Sequence, residues 1–292
     1  MLRPSDCVGK TPMIGVGKKI FAKFETYNPS GSVKDRIAAY IINSAEELGL
    51  IETGDTLVEA TSGNTGIAFA LIAAERGYKM KIIMPSNMSE ERKSMMRTLG
   101  AELIEVEAGD FDGAIALRDK LAEENGWFNT NQFHNPLNIQ CHALTTGAEI
   151  VEFLRENDLK PSAFVSGTGT GGTIMGVAKT LRAFYPDVKI VAIEPAESAV
   201  MSGGEPGLHG IQGIGDGSKF LVDLDKVDEI ITVPTEVAKE RARQLIKNSG
   251  ILVGISSGAN VYAAEQWESQ NNPDGVIITM LCDRGERYLS CI

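Results

Sequence analysis

Short runs of aliphatic and β-branched residues alternate along the chain with longer stretches in which apolar residues recur every three or four positions. The first pattern is typical of buried parallel strands, and the second of helices that pack against them. Strands are predicted at 56–60, 81–84, 102–106, 163–166, 189–193, 229–233 and 276–281. Helices are predicted at 34–48, 66–76, 89–99, 113–124, 145–154, 173–184, 235–249 and 259–268. This alternation predicts an α/β protein with mostly parallel, twisted sheets flanked by helices.

The stretch FNTNQFHNPLN, at 128–138, interrupts the alternation with Asn and Pro residues. It therefore predicts a crossover between two groups of βα units, a smaller domain before it and a larger one after it. Ligands of open parallel sheets bind beyond the carboxyl ends of the strands. A cleft between two such domains is the expected binding site.

The composition of the chain limits the kinds of binding partner that are expected. The 292 residues include 28 Lys and Arg against 39 Asp and Glu, a formal net charge of −11. An acidic surface repels phosphate backbones and anionic lipids, so neither nucleic acid nor a membrane is an expected partner. The first residues, MLRPSDCVGK, lack an apolar signal core, which favours a cytoplasmic location. Four Cys and three His residues show no ligand spacing, so no metal site is expected.

Lys34 occupies an unusual position in the segment YNPSGSVKDRIAAYII. It falls in the first turn of a predicted helix with Ser32 as N-cap, where the helix dipole disfavours a cation by about 0.3–1 kcal/mol. Partial burial would lower the pKa of Lys34 further, and a neutral amine is what imine chemistry requires. The alternative is a solvated lysine paired with Asp35.

Three strand-to-helix junctions carry candidate ligand-binding loops. In EATSGNTGIAFA, backbone N–H groups and hydroxyls converge at a positive helix end, which suits a carboxylate. In AFVSGTGTGGTIMG, closely spaced Gly and Thr residues suit a phosphate, and no Lys follows as it does in nucleoside-triphosphate loops. In GILVGISSGAN, a strand is expected to end at Ser256 and Ser257. The alternative for the first and third junctions is an ordinary capped turn.

The second junction also matches GxGxxG, a dinucleotide-binding pattern. Gly167, Gly169 and Gly172 supply the glycines, and Glu194 ends the next predicted strand, at about the distance that the pattern requires. An NAD-dependent dehydrogenase is therefore a remote alternative.

Taken in order along the chain, these features resemble the pyridoxal-phosphate enzymes of fold type II, and specifically the cysteine synthase (O-acetylserine sulfhydrylase) family. The motifs that carry the resemblance are GKTPM, NPSGSVKDR, EATSGNTGIA, MPSNMSEERK, NQFHNP, TTGAEI, GTGTGGTIMG, IQGIG, GISSGA and CDRGERYLS. They extend over nearly the whole chain. The resemblance implies a fold like that of the tryptophan synthase β subunit. Its smaller domain would be 35–136, its larger domain 1–34 with 137–292, and pyridoxal 5'-phosphate would lie in the cleft.

The resemblance also implies roles for individual residues. Lys34 would bond the cofactor's aldehyde, Asn64 would hydrogen-bond its ring oxygen, and Ser256 would face its pyridine nitrogen. The phosphate would be held by Gly169, Thr170, Gly171, Gly172 and Thr173. The substrate carboxylate would be bound by Thr61, Ser62, Thr65 and Gln132.

The reaction implied is a β-replacement that makes L-cysteine from O-acetylserine and sulfide. The alternative is a β-lyase or β-replacement enzyme that consumes cysteine and releases hydrogen sulfide, with Asp216 activating water; Asp216 could equally cap a turn. Cys282 resembles the branch of the family that accepts thiosulfate, or is an inert buried thiol. The family further implies a homodimer and, as a possible partner, the C-terminus of serine acetyltransferase.

Overall fold

The computed structural model describes residues 2–61 and 63–291. The strands are β1 (Met13–Gly15), β2 (Ile20–Phe24), β3 (Thr56–Ala60), β4 (Lys79–Pro85), β5 (Glu102–Val106), β6 (Phe128–Asn129), β7 (Pro161–Gly167), β8 (Lys189–Pro195), β9 (Glu229–Val233) and β10 (Val276–Leu281). The α-helices are α1 (Lys34–Glu47), α2 (Asn64–Arg76), α3 (Glu90–Thr98), α4 (Phe111–Asn125), α5 (Leu137–His142), α6 (Ala148–Glu156), α7 (Gly172–Phe184), α8 (Thr235–Ser249) and α9 (Ile255–Asn271). The predicted α/β class with parallel sheets flanked by helices is confirmed.

The chain divides into two compact units. The first unit contains 2–8 and Asn28–Leu137, and the second contains Gly9–Tyr27 and 138–291. The N-terminal segment thus divides differently from the predicted partition at 34/35. Residues 2–8 belong to the first unit because Ser5 donates hydrogen bonds from its N–H (2.7 Å) and its hydroxyl (2.5 Å) to Glu75 on α2.

The first unit is built on a four-stranded sheet in the order β5-β4-β3-β6, in which every pairing is parallel. The inner strands β3 and β4 are apolar runs because both of their faces are covered. On one side, Leu57 and Ile82 pack with Phe69 of α2 and with Ile41 and other residues of α1. The other side packs against α4.

Helix α4 has clear sequence-encoded ends. The carboxylate of Asp110 accepts a hydrogen bond from the N–H of Gly113 (2.8 Å), and Gly126 closes the helix in the left-handed region at φ 64°. Its inner face places the side chain of Arg118 inside the unit, where that side chain is 1% exposed.

The second unit is built on a six-stranded sheet in the order β1-β2-β10-β7-β8-β9. Strand β1 is antiparallel to β2, and the remaining pairs are parallel. Every residue of β10 is buried. The core beside it includes Val165, Ile193, Trp267 and Ile277, so α9 covers one face of this sheet.

The sequence pattern missed β1, β2, β6 and α5, and it placed two helix starts three or four residues away from the observed ones. The predicted helix at 145–154 begins inside a π-helical turn, Ala143–Gly147, and regular α-helix begins only at Ala148. The hydroxyl of Thr180 donates to the Ala143 carbonyl (2.7 Å), and this side-chain contact accompanies the irregular turn. The predicted helix at 259–268 begins earlier, at Ile255.

Tyr78 fastens α1 to the start of β4. Its hydroxyl donates to Glu46 Oε1 (2.8 Å), and burial together with this carboxylate raises the pKa of Tyr78 to about 12. An unfolded tyrosine ionises near pH 10. The neutral phenol therefore stabilises the fold fully below about pH 10, and this contribution is lost as the pH rises toward 12.

We expect the free energy of unfolding of the wild type to fall between about pH 10 and pH 12, and to fall less steeply in Tyr78→Phe. Denaturant unfolding at closely spaced pH values measures this slope. Tyr27→Phe, at a tyrosine that is 66% exposed, is the matched control. Equal slopes in wild type and Tyr78→Phe would contradict the assignment.

Candidate active site

Lys34 is the first residue of α1 and is half-buried. The structural N-cap is Val33 rather than the predicted Ser32, although the hydroxyl of Ser32 accepts a hydrogen bond from the Lys34 N–H (3.3 Å). The neighbouring Asp35 is 1% exposed, and its carboxylate accepts hydrogen bonds from both the N–H and the hydroxyl of Ser30. Asp35 thus braces the loop that leads into Lys34.

The loop after β3 brings several predicted substrate-binding residues together. Thr61 and Thr65 are each 3% exposed, and Asn64 begins α2. The Thr65 hydroxyl donates to Gln132 Oε1 (2.7 Å), while Gln132 Nε2 donates to the Ala60 carbonyl (3.1 Å). Ser62, also predicted here, lies outside the described residues. Hydroxyls, an amide and the start of a helix therefore meet at the carboxyl end of β3, as a carboxylate site requires.

Sequence reasoning missed two charged residues next to this loop. Glu59, on β3, is 0% exposed and forms an ion pair with Arg118 of α4 (3.1 Å). The available signal was a carboxylate in the middle of the apolar run TLVEA, since a buried charge needs a partner.

The glycine- and threonine-rich loop leads from β7 into α7. Its last residue before the helix, Gly171, has φ 86°, a conformation that favours glycine. A Cβ at Gly172 would lie 1.9 Å from Asn138 Oδ1, and one at Gly169 would lie 2.7 Å from the Gly213 carbonyl oxygen. The loop backbone is thus packed tightly from behind, with no room for side chains.

Hydroxyls complete this loop. Thr170 Oγ1 accepts hydrogen bonds from Asn138 Nδ2 (3.0 Å) and from the Gly172 N–H (3.3 Å). Thr173 Oγ1 lies 3.2 Å from Nε2 of the buried His142. A bare backbone at the positive end of a helix, with fixed hydroxyls beside it, fits a phosphate group.

The adjacent serines lie inside the first turn of α9, whose N-cap is Gly254, and not on a strand end as predicted. The hydroxyl of Ser257 accepts a hydrogen bond from the Cys282 N–H (2.9 Å). Ser256 is 4% exposed at the same helix start. Cys282 is partly buried, and its sulfur accepts from Asn260 Nδ2 (3.5 Å).

Asp216 lies on a glycine-rich loop beside the phosphate-type loop of the same unit. Its Oδ2 is 3.4 Å from the position of a Cβ on Gly169. The loop is held by a hydrogen bond from the Gly215 N–H to the Thr168 carbonyl (2.9 Å) and by one from His209 Nε2 to the Gly215 carbonyl (3.0 Å). The carboxylate therefore lies next to the bare backbone at Gly169.

Glu194, the acidic residue of the dinucleotide-binding pattern, is engaged in hydrogen bonds within the fold. Glu194 is 2% exposed, and its carboxylate accepts hydrogen bonds from the N–H groups of Met201 (2.7 Å) and Ser202 (2.9 Å) and from the Ser202 hydroxyl (2.5 Å). A carboxylate used in this way to hold a loop is not placed to bind a ribose hydroxyl.

A lysine at a helix start in one parallel α/β unit and a phosphate-type loop in the other are features expected of a pyridoxal-phosphate-dependent enzyme. The chain belongs to the pyridoxal-phosphate dependent enzyme family, whose sequence profile matches residues 4–283. Its cofactor is pyridoxal 5'-phosphate.

Similar proteins were found by sequence and by structure. A cysteine synthase of Staphylococcus aureus is 44% identical over 294 residues, covering 97% of this chain and 94% of that protein. A hydrogen sulfide-producing enzyme of Fusobacterium nucleatum has a TM-score of 0.93 at 40% identity, covering 98% of this chain and 89% of the other. A cysteine synthase of Entamoeba histolytica has a TM-score of 0.91 at 39% identity, covering 99% and 89%.

The described residues contain neither a candidate membrane span nor a candidate metal centre. No helix in 2–61 or 63–291 is both long and apolar enough to cross a membrane. The same residues contain no group of His, Cys, Asp or Glu side chains that could hold a metal ion.

We expect Gly172→Ala to weaken pyridoxal phosphate binding about tenfold or more, because the new Cβ would overlap Asn138 Oδ1 and displace the loop. The dissociation constant is measured by titrating the cofactor-free protein. The control is Gly15→Ala, where a Cβ meets no heavy atom within 4 Å. Unchanged affinity in Gly172→Ala would remove this loop from the cofactor site.

Proposed function

We propose that the protein is a β-replacement enzyme that makes L-cysteine from O-acetyl-L-serine and sulfide. The observation that carries the proposal is the buried, hydrogen-bonded pair of Thr65, in the first turn of α2, and Gln132, in the segment after β6; this pair suits the α-carboxylate of an amino-acid substrate. The 44% identity with a cysteine synthase over 97% of the chain supports the same reaction.

The phosphate-type loop would hold the phosphate of the cofactor through Gly169, Thr170, Gly171, Gly172 and Thr173. Asn64 would hydrogen-bond its ring oxygen, Ser256 would face its ring nitrogen, and Lys34 would meet its aldehyde. When bound, pyridoxal phosphate supplies an aldehyde that links to amines and a ring that weakens the bonds at the α-carbon of an amino acid.

Lys34 then serves as acid and base. Its uncharged amine removes the proton from the substrate's α-carbon, and acetate leaves from the β-carbon. After sulfide has added there, the protonated amine of Lys34 returns the proton to the α-carbon. Thr61, Ser62, Thr65 and Gln132 orient the substrate through its carboxylate during both proton transfers.

Ser256 biases the outcome toward elimination at the β-carbon. A neutral hydroxyl does not hold a proton on the ring nitrogen as a carboxylate would, so electrons are withdrawn from the α-carbon less strongly. Weaker withdrawal favours prompt loss of the β-substituent over transamination.

A second candidate function is release of hydrogen sulfide from cysteine. Two observations favour it: Asp216 lies beside Gly169, and a hydrogen sulfide-producing enzyme is 40% identical over 98% of this chain. In this reaction the Asp216 carboxylate removes a proton from water as the water adds to the β-carbon, and serine is formed.

We further propose, from the resemblance in sequence, that the protein acts in the cytoplasm as a homodimer. The C-terminus of serine acetyltransferase is a candidate partner on the same ground.

Lys34→Ala is expected to reduce cysteine formation from O-acetylserine and sulfide by about a thousandfold, because the group that moves the α-proton is lost. It should also change the visible absorbance of the bound cofactor. A product assay and a spectrum measure the two effects. Lys79→Ala, at an exposed lysine, is the control. Substantial turnover by Lys34→Ala would exclude the assigned role.

Asp216→Asn is expected to slow sulfide release from cysteine alone about a hundredfold, with cysteine formation changed only slightly, because sulfide needs no base to add. Both rates are measured on the same preparation, with Asp187→Asn at an exposed aspartate as the control. If the rate of cysteine consumption is the same in wild type and Asp216→Asn, the carboxylate has no part in the reaction.

A further inference from the structure

The carboxylate of Glu59 is fully buried and accepts hydrogen bonds at both oxygens. Oε1 accepts from the Ala60 N–H (2.8 Å) and from Arg118 Nη1 (3.1 Å). Oε2 accepts from the Thr130 hydroxyl (2.6 Å) and from the Gln132 N–H (2.9 Å). Glu59 thus joins β3 and α4 to the irregular segment that follows β6.

Arg118 holds the same segment from its other end. Its Nε and Nη2 donate to Asp119 Oδ1 (2.9 and 2.8 Å), and that oxygen also accepts from Asn129 Nδ2 (2.7 Å). The chain at 129–132 is therefore fastened at Asn129 through Asp119, and at Thr130 and Gln132 through Glu59. Arg118 bridges the two carboxylates.

This arrangement determines where the Gln132 side chain lies. With its own N–H held by Glu59, the amide of Gln132 reaches the Ala60 carbonyl on one side and the Thr65 hydroxyl on the other. A shift of the 130–132 backbone would move Gln132 and disturb its hydrogen bond with the Thr65 hydroxyl. A displacement of about 1 Å in a positioning group can cost up to about a hundredfold in rate.

We propose that the Glu59–Arg118 ion pair is a positioning element for the substrate carboxylate, acting through the backbone of 130–132 on Gln132 and Thr65. The inference rests on the proposed function, because that function assigns the carboxylate to Gln132 and Thr65. Neither charged residue touches the substrate.

Stability alone is a weak reason for this pair. Replacing a buried ion pair by apolar side chains of similar volume is often neutral or stabilising, because desolvation offsets most of the attraction. Apolar side chains could not accept the hydrogen bonds that Glu59 receives from the Thr130 hydroxyl and the Gln132 N–H. The effect of these bonds is on geometry, and it should appear in substrate binding.

The test uses the cofactor-loaded enzyme and the variant Arg118→Met, which keeps the length of the side chain and removes its charge. Arg118→Lys restores a cation without the planar fork of donors. The matched control is Lys93→Met, which breaks another ion pair of the first unit, between Lys93 (4% exposed) and Glu105 (2.8 Å). Thermal unfolding of all three variants shows that they fold.

Two ligands separate positioning from general damage. L-serine carries the α-carboxylate, whereas L-serine amide does not, and the absorbance of the bound cofactor reports the binding of each. We expect Arg118→Met to raise the Kd for L-serine about tenfold, comparable to weakening one charge-assisted hydrogen bond, and to change that for the amide less than about twofold. Arg118→Lys should fall between wild type and Arg118→Met, and Lys93→Met should leave the ratio of the two Kd values unchanged.

The KM for O-acetylserine should rise in parallel with the Kd for L-serine, with kcat changed less. Equal changes for L-serine and its amide, an unchanged Kd for L-serine, or the same pattern in Lys93→Met would each overturn the proposal. A wild type that binds L-serine but neither makes cysteine nor releases sulfide would refute the proposed function alone, and the binding comparison would still decide the role of the ion pair.

Discussion

In the first unit, β3 lies between β4 and β6, and all three strands run in the same direction, so the chain leaves each of them at the same edge of the sheet. This constraint brings Thr61, which follows β3, close to Gln132, which follows β6, although about seventy residues separate them in sequence. The second unit obeys the same rule at the carboxyl end of β7, where the phosphate-type loop begins. The direction of the strands therefore determines where the candidate carboxylate site and the candidate phosphate site lie, each within its own unit, whatever side chains line them.

Irregular loops at such an edge need hydrogen-bond partners for their backbone, because water cannot reach all of their N–H groups. In both units a buried polar side chain accepts from the backbone N–H of a loop or strand end. These pairs are Asp35 with Ser30, Glu59 with Gln132, Asn260 with Gly167, and Glu194 with Met201. Directed hydrogen bonds thus help to hold the site loops, which makes their geometry sensitive to single substitutions.

Much of this architecture could be predicted from local sequence. Strands such as β3 and β4 are covered on both faces and read as apolar runs, and long helices such as α8 show clear periodicity. Strands β1 and β6 have three and two residues, too few for a pattern to emerge. Lys34 could be singled out because the residues that mark it, the N-cap candidate Ser32 and the helix that follows, are its sequence neighbours. The glycine-rich loop could be recognised because its Gly and Thr residues are consecutive.

The partnership of Glu59 and Arg118 could not be predicted in this way. The two residues are 59 positions apart and meet only after α4 has packed on the sheet. The sequence could show that Glu59 needed a partner, but not which cation supplied it. The start of α9 was predicted incorrectly for a related reason. The segment GISSGAN has the composition of a turn, but burial of Ile255 and Ala259 in the core favours helix from Ile255 onward.

The position of Asp216 needs a separate explanation, because its negatively charged carboxylate lies beside a loop suited to anions. Two unit charges 4 Å apart interact by about 1 kcal/mol in water and by about 4 kcal/mol at the effective dielectric of a protein surface. An acid at this place opposes binding of a phosphate, while a neutral side chain would not. The loop that carries Asp216 is held by hydrogen bonds of the Gly215 backbone with Thr168 and His209. A carboxylate that opposes cofactor binding at this place is explained by a part in the chemistry. Cysteine breakdown, with Asp216 acting on water, therefore stands beside cysteine synthesis as a function proposed for this site.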